Sequence, residues 1–494
     1  MFKLILIVGI SVALIACNNE KEGGTKWSSE EFEQYKSTLD SNFATRELKL
    51  TLEAKVLQED FLVFRYILEN AQTSIYRYSS KSIVDSIFES EFQRLNGAST
   101  YYKLLQSLAR VQNEIACGHS GWSHHKDYYA FRNDSILLFP FEIEIENGRV
   151  YVFRNNSKNA GIQTGDQPLK LNGQPIMQVI NKLKLYMVKD GNSAPDSYKD
   201  VESSFSNAYS NFMSNPDSFV IELKSGETVV IEGLKKQVID SLRTKRYGKI
   251  PRPNKLLEID VIDSSKAAVF TIRSFNNNHL QAFGQNFIDF TDSVFNILNE
   301  REITQLVIDL RGNVGGWTAN GRALFSYFIE DTLQYMNKVE TKKTHYEEFE
   351  PFVVNYPGYP DTAVLKLNGD LYQWKNYPSL VAIPVSKNRF AGKVYVLIDH
   401  LTRSCSSVFS AKMKEHNLAT IIGEENGATF CGSNAMVMSF RLPHSGITVY
   451  TSTAKYSTAI SDSLNSRGTI PDIKLPPKQT EFALDSAMNL INCN

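Results

Sequence analysis

Five cysteines in 494 residues are too few for a disulfide-built scaffold. Histidine is scarce too, at eight, and no Cys or His pair has the spacing of a zinc site. His119 with the dipeptide His124-His125 is a poor ligand set; these read as solvated loop histidines, and no metal is expected. Neither charge is in excess: 53 Lys plus Arg stand against 54 Asp plus Glu, a net −1. Nothing in that balance suggests a nucleic-acid binder. Past residue 16 no apolar run of about 18 residues occurs, so no later segment reads as a membrane span. What is present is globular protein, 42% hydrophobic and 22% charged. The length exceeds one ordinary core and predicts several domains.

Residues 1–16 read as a leader. Lys3 is a short positive start, and Leu4 to Ile15 is an apolar stretch too short for a stable span. Leu14-Ile15-Ala16-Cys17 resembles a lipobox. The resemblance implies cleavage before Cys17, lipidation of its thiol and an acyl anchor in membrane lipid. The chain is then expected on the extracytoplasmic side of a cell envelope, at the outer membrane rather than the inner. An ordinary signal peptide with a chance cysteine is the other reading. Residues 17–27, polar and Gly-bearing, read as a tether. Pairing among Cys117, Cys405, Cys431 and Cys493 is not readable, nor is the oligomeric state.

The fold class expected is multi-domain α+β. Residues 28–125 read as a helical domain, opened by Ser28-Ser29-Glu30-Glu31 and carried by Leu48, Leu52, Val56, Phe61, Phe64 and Ile67, then by Leu104, Leu105, Leu108 and Val111. Residues 135–237 read as a small β domain, with strand-like runs at 136–140, 141–145, 149–153, 169–171, 219–223 and 228–231. A helix is expected from Ile176 to Leu183, and a polar insertion near 190–217. Residues 238–257, basic and Pro-bearing, read as a linker. From 255 to 480 strands and helices alternate, which predicts an α/β core with parallel pairings. Within it, residues 331–390 are charged and aromatic with weak periodicity, and read as decoration of a cleft rim. Residues 481–494 form a C-terminal segment.

Two places in the core share a layout of buried strand, short loop and helix. In Leu306-Val307-Ile308-Asp309-Leu310-Arg311-Gly312-Asn313-Val314-Gly315-Gly316 the strand runs into a glycine-rich turn. The glycines there let backbone N–H groups approach an anion or a developing oxyanion, though a plain tight turn fits as well. A phosphate loop is excluded, since neither Gly-Lys-Ser/Thr nor G-x-G-x-x-G is present, and no cofactor is expected. In the second place Val394 to Asp399 leads through His400-Leu401-Thr402-Arg403 to Ser404-Cys405-Ser406-Ser407. Ser404 then starts a helix. A serine there is usually an N-cap, worth about 1 kcal/mol. The same position suits a nucleophile, and the Cys405 N–H can help hold an oxyanion. Both loops lie beyond the carboxyl ends of strands, where α/β sheets collect ligands.

Asp309 to Gly316 resembles the Asp-Leu-Arg-x-Asn-Gly-Gly-Gly signature of the C-terminal processing and tricorn-type serine peptidases, with Val314 for one glycine. Ser404-Cys405-Ser406-Ser407 and Ile422-Gly423-Glu424 resemble that family's Ser-x-Ser-Glu helix start and Gly-Glu turn, with Ser407 for the glutamate. The resemblance implies Ser404 as nucleophile, Gly315, Gly316 and Cys405 as oxyanion donors, and a core of the Clp/crotonase type. Gly161 to Asp166 with Leu171-Asn172-Gly173-Gln174-Pro175-Ile176 resembles a PDZ domain. Gly423 to Asn434 holds no lysine, so the lysine dyad of one branch is excluded. The tricorn-like branch uses a histidine in a short Gly-His motif before the PDZ unit. Cys117-Gly118-His119-Ser120 matches it and implies His119 as base. The family's late glutamate aligns with Asn465, and Asp462 is a nearby substitute.

The function implied is an anchored serine endopeptidase acting on polypeptide substrates through an acyl-enzyme. Ser407 and Asn465 favour the rival, a pseudopeptidase that binds peptides without cutting them. A third reading makes Cys405 the nucleophile.

Overall fold

The computed structural model describes residues 25–40, 42–97, 100–194, 197–250, 252–356, 358, 364–458, 466–475 and 483–492. The leader, Cys17, Asp462, Asn465 and Cys493 lie outside the described residues.

The N-terminal region is helical for local reasons. Ser28 caps the helix Ser29–Ser37 in a capping box with Glu31. Ser80 and Thr100 cap the helices Lys81–Gln93 and Tyr101–Ile115 by accepting from backbone N–H groups. Tyr101–Ile115 buries Leu104, Leu105, Leu108, Val111, Gln112 and Ile115, a stripe at spacings of one to four. These helices have no core to themselves. One apolar cluster runs from Phe61 and Leu104 through Phe139 and Ile180 to Phe440 and Val449. The first two lie in the helices Ala54–Ala71 and Tyr101–Ile115, the next two in the middle region and the last two in a sheet of the C-terminal half. His124 and His125, expected in solvent, are buried. The His124 ring stacks on Tyr128 at 3.6 Å, and His125 Nε2 bonds the Arg46 carbonyl at 3.0 Å. Burial pushes the His124 imidazole down to about 3.

The middle region contains the hairpin Phe141–Glu146 and Arg149–Asn155, joined through Asn147-Gly148, both with positive φ as a primed turn requires. Beside it a four-stranded sheet runs in the order Gln174–Pro175, Pro168–Leu171, Ser218–Leu223, Thr228–Glu232. Two expectations are corrected here. The supposed polar insertion contains a helix, Lys199–Phe212, which buries Val201, Phe205, Ala208, Tyr209 and Phe212. Its apolar residues sit three and four apart among serines and asparagines, so average polarity hid the stripe. The supposed linker, 238–257, begins inside the helix Lys236–Tyr247, which is docked through Ile239.

The core sheet has six strands in the order Ile473–Lys474, Thr420–Gly423, Lys393–Ile398, Gln305–Asp309, Ala267–Ile272, Leu257–Ile262. All neighbours are parallel except the last pair. Residues on successive positions serve opposite faces. Leu306, Ile308, Val396 and Ile398 join one cluster with Phe295, Leu324 and Phe409 from three helices. Val307, Tyr395 and Leu397 join the other with Ala483, Ala487 and Ile491 of the C-terminal helix Ala483–Asn492. Both faces are therefore covered, which explains the near-continuous apolar strands.

A second sheet, antiparallel throughout, was not legible in the sequence. Its path is Val353–Asn355, Gly432–Arg441, Thr448–Thr458, Met336–Thr341, Leu371–Trp374, Leu365–Asn368. Four of these strands come from residues 331–390, which thus build a layer of the protein rather than decorate a rim. Gly121–Ser123 adds a short strand against Thr448–Thr458, pairing Gly121 with Tyr450 and Ser123 with Thr448. Among the described residues no helix is long and apolar enough to cross a membrane.

Candidate active site

Ser404 stands between the strand Lys393–Ile398 and the helix Cys405–Glu415. Its backbone has φ +53° and ψ −123°, a conformation that a residue with a Cβ rarely adopts. Such a conformation costs about 1–3 kcal/mol and persists only where the surroundings enforce it. The enforcing contacts are visible. Arg403 N–H donates to the Asn313 carbonyl (3.1 Å), and the Arg403 guanidinium pairs with Asp200 (2.8 and 3.1 Å). Thr402 Oγ1 donates to the Leu310 carbonyl (3.0 Å). Ser404 makes no N-cap bond with its side chain, so the ordinary role of a serine at that position is vacated. Its Oγ lies instead 3.1 Å from His119 Nε2.

His119 arrives from the other end of the chain. The helix Tyr101–Ile115 ends at Ala116, which is left-handed (φ 55°, ψ 43°) and turns the chain into Cys117 to Ser120. Ser120 Oγ bonds Thr451 Oγ1 (3.0 Å), and Cys117 Sγ meets Ser452 Oγ (3.5 Å). Gln112 Nε2 donates to the Gly121 carbonyl (2.6 Å). The turn is thus fastened before and after the imidazole to the strand Thr448–Thr458. Burial lowers the His119 pKa below that of a free imidazole, and the nearby Asp190 carboxylate works in the opposite direction. His119 Nδ1 is buried without an acceptor among the described residues. With the proton on Nδ1, Nε2 accepts the Ser404 hydroxyl.

The glycine turn lies directly beside them. A Cβ on Gly315 would sit 2.7 Å from Ser404 Cβ and 2.9 Å from Cys405 N, so only glycine fits there. The Gly315 N–H, however, is committed to Asn313 Oδ1 (2.8 Å) and is not free for an oxyanion. That corrects its expected role: Gly315 supplies space, and Asn313, buried and bonded also to the Ile272 carbonyl (2.8 Å), sets the turn. Gly316 lines the cavity next to Ser404, as does Cys405 at the first position of its helix. Neither backbone N–H has an acceptor among the described residues. Asp309 and Arg311 are bonded to each other (2.6 and 2.9 Å) and shape the turn from outside the site.

The cavity holds about 180 Å³ and is walled by Met336, Val408, Met436 and Tyr456 as well as by the site residues. The Cys405 thiol is turned to the Trp317 carbonyl (3.3 Å), and burial pushes it up to about 12. A thiol so held is a poor nucleophile at neutral pH. Cys117 and Cys405 form no disulfide among the described residues. Ser407 is buried in its helix and accepts from Asn426 Nδ2 (3.2 Å), away from Ser404. A wider cleft of about 630 Å³, bordered by Glu142, Lys199, Arg311 and His400, does not include Ser404 or His119.

One group beside the site escaped the sequence reading. Asp190 is buried, at 4% exposure, and accepts from the Gly118 N–H (3.1 Å) and the Thr429 N–H (3.3 Å). It belongs to the stretch read as a polar insertion, and an Asp-Gly pair in a loop signals a turn, not a buried carboxylate.

Comparison with known proteins gives three findings. Residues 266–475 match the family model of peptidase family S41. No curated protein sequence matches the chain. Among solved structures, mature CPAF is 14% identical, with 89% of this chain and 98% of that one covered and a TM-score of 0.59. Mature CPAF complexed with lactacystin is 15% identical, with 89% and 99% covered and a TM-score of 0.59. A photosystem II D1 C-terminal processing protease is 14% identical, with 90% and 98% covered and a TM-score of 0.40. The CPAF likeness shows a shared fold.

Because burial disfavours the imidazolium, His119 stays neutral to lower pH than a free imidazole, whose pKa is near 6.5. The rate at which Ser404 reacts with a fluorophosphonate should therefore hold as pH falls through about 6.5 and drop only below it. A midpoint at or above about 6.5 contradicts this placement of the base.

Proposed function

We propose, from the premise that residues 266–475 belong to peptidase family S41, that this chain is a histidine-based serine endopeptidase anchored at an envelope membrane. The observation that carries the reading is the 3.1 Å contact of Ser404 Oγ with His119 Nε2. His119 takes the hydroxyl proton as Oγ attacks a peptide carbonyl, and the C–O bond forms as the N–H bond on Nε2 forms. The Gly316 and Cys405 N–H groups hold the oxyanion, at about 3 kcal/mol per donor. His119 then protonates the leaving amine, and water releases the acyl group by the reverse sequence. Polypeptides are the substrates. The cavity beside Ser404, lined by Met336, Val408 and Met436 together with Thr318, Ser433 and Asn434, takes one side chain of the substrate.

The middle region is read as PDZ-like: its hairpin and four-stranded sheet with the helix Ile176–Lys184 support that reading. The parallel sheet with helices on both faces supports the Clp/crotonase type for the core. The lipobox Leu14 to Cys17 supports a lipid anchor. The thiol reading is disfavoured by the Cys405 geometry, and the pseudopeptidase reading by the vacated cap and paired imidazole at Ser404.

A fluorophosphonate probe tests the enzyme. The native chain and Cys405→Ala should be labelled, while Ser404→Ala should not be labelled and should lose at least about 10³-fold in hydrolysis of an unfolded protein substrate. Labelling that survives in Ser404→Ala, or vanishes in a folded Cys405→Ala, overturns the assignment. For the anchor, Cys17→Ala should move the protein from the membrane to the soluble fraction. If it stays with lipid, Cys17 is not the anchor.

A further inference from the structure

Asp190 is a buried carboxylate with no cation bonded to it among the described residues. Burying such a group away from a counter-charge is unfavourable. The loop that carries it is tied on both sides. Gly191 N–H donates to the Ala116 carbonyl (2.8 Å), at the end of the helix before His119. Asn192 N–H bonds the Ser466 carbonyl, and Ala194 N–H donates to Glu425 Oε1 (3.0 Å). Asp190 packs so closely on Gly118 that a Cβ there would lie 2.9 Å from Asp190 Cβ and 3.1 Å from Cγ. The carboxylate is thus fixed against the residue before the base, and the base itself has a buried Nδ1 with no hydrogen-bond partner among the described residues.

We propose that Asp190 is the positioning carboxylate of this site: it holds the Gly118-His119 turn and supplies the counter-charge for the imidazolium formed when His119 takes the Ser404 proton. The inference rests on the reading of Ser404 and His119 as nucleophile and base. Proton balance is simple. The Ser404 O–H bond breaks, the His119 Nε2–H bond forms, and Asp190 gains no proton. The acid thus comes from the middle region of the chain, between the Gly-His turn and the nucleophile, and neither Asn465 nor Asp462 is required for it.

The other titratable groups around the imidazole do not supply this charge. The Cys117 and Cys405 thiols and the Tyr78 and Tyr456 phenols are pushed up by burial and stay neutral at neutral pH. The Arg77 guanidinium bonds the Ser433 carbonyl (3.1 Å) and Asn434 Oδ1 (3.4 Å). Asp190 alone among the described charges opposes the effect of burial on His119.

Asp190→Asn keeps the size of the side chain and removes its charge. It should lower kcat at least about tenfold with KM within about twofold. The acid limb of kcat/KM should move to lower pH, since the lost negative charge had favoured the imidazolium. A merely structural role would lower the folded fraction without moving that limb. A check that does not need activity uses Ser404→Ala, in which His119 is titrated by NMR. Its pKa should fall when Asp190→Asn is added. The Asp190 carboxyl carbon of the Ser404→Ala protein itself should show an inflection at the His119 pKa, so the test survives even if Asp190→Asn does not fold. An unmoved His119 pKa, no inflection at Asp190, or full activity in Asp190→Asn alongside loss in Asp462→Asn overturns the proposal. If the native chain neither hydrolyses nor labels, the nucleophile reading fails separately, and the NMR titration still decides on Asp190.

Discussion

Three residues of antiparallel pairing hold the site together. Gly121–Ser123 lies along Thr448–Thr458, and that ladder fixes where the turn Cys117 to Ser120 must be. Ser120 and Cys117 add side-chain contacts to Thr451 and Ser452, so the imidazole cannot rotate away with its loop. The partner strand continues into the layer that walls the cavity beside Ser404. Two residues 285 positions apart are thereby set 3.1 Å from one another. Without this short ladder the helical region would still pack on the large sheet, but its histidine would have no defined distance from the serine.

Strain on the serine side is sustained by a different set of contacts. The positive φ of Ser404 frees its hydroxyl from the helix cap and presents it to the imidazole. Gly315 makes the necessary room, and Asn313 uses its whole amide to hold the glycine turn in place. Arg403 and His400, just before the nucleophile, reach across to Asp200 on a helix of the middle region. The nucleophile loop is therefore braced by the parallel sheet on one side and by the middle region on the other. The site lies where the three parts meet: the helical and middle regions share one apolar cluster with the antiparallel sheet, while the parallel sheet has a cluster of its own on each face.

Strands 306–310 and 394–398 and the loops that follow them were legible because buried parallel strands are runs of apolar residues ending in distinctive turns. Ser404 and His119 were reached through motifs rather than periodicity, since a lone histidine after a helix has no pattern of its own. The antiparallel layer from 331–390 was missed for a physical reason. Its strands are short, and in two of them Lys338, Glu340 and Lys366 break the apolar pattern. The helix Lys199–Phe212 was hidden by its polar face. Gly315 was read as a donor because sequence cannot show that the Asn313 side chain captures its N–H. Asp190 was invisible for a similar reason: burial of a carboxylate is a property of the chain segments folded over it.

The central claim is that Ser404 Oγ, His119 Nε2 and the N–H groups of Gly316 and Cys405 converge on one reacting carbon. A crystal structure of the chain reacted with a fluorophosphonate tests it most directly. The account predicts phosphorus bonded to Ser404 Oγ and a phosphonyl oxygen about 2.7–3.1 Å from both the Gly316 and the Cys405 nitrogen. An adduct on Cys405 Sγ, or one on Ser404 whose oxygen points away from those two nitrogens, would contradict it.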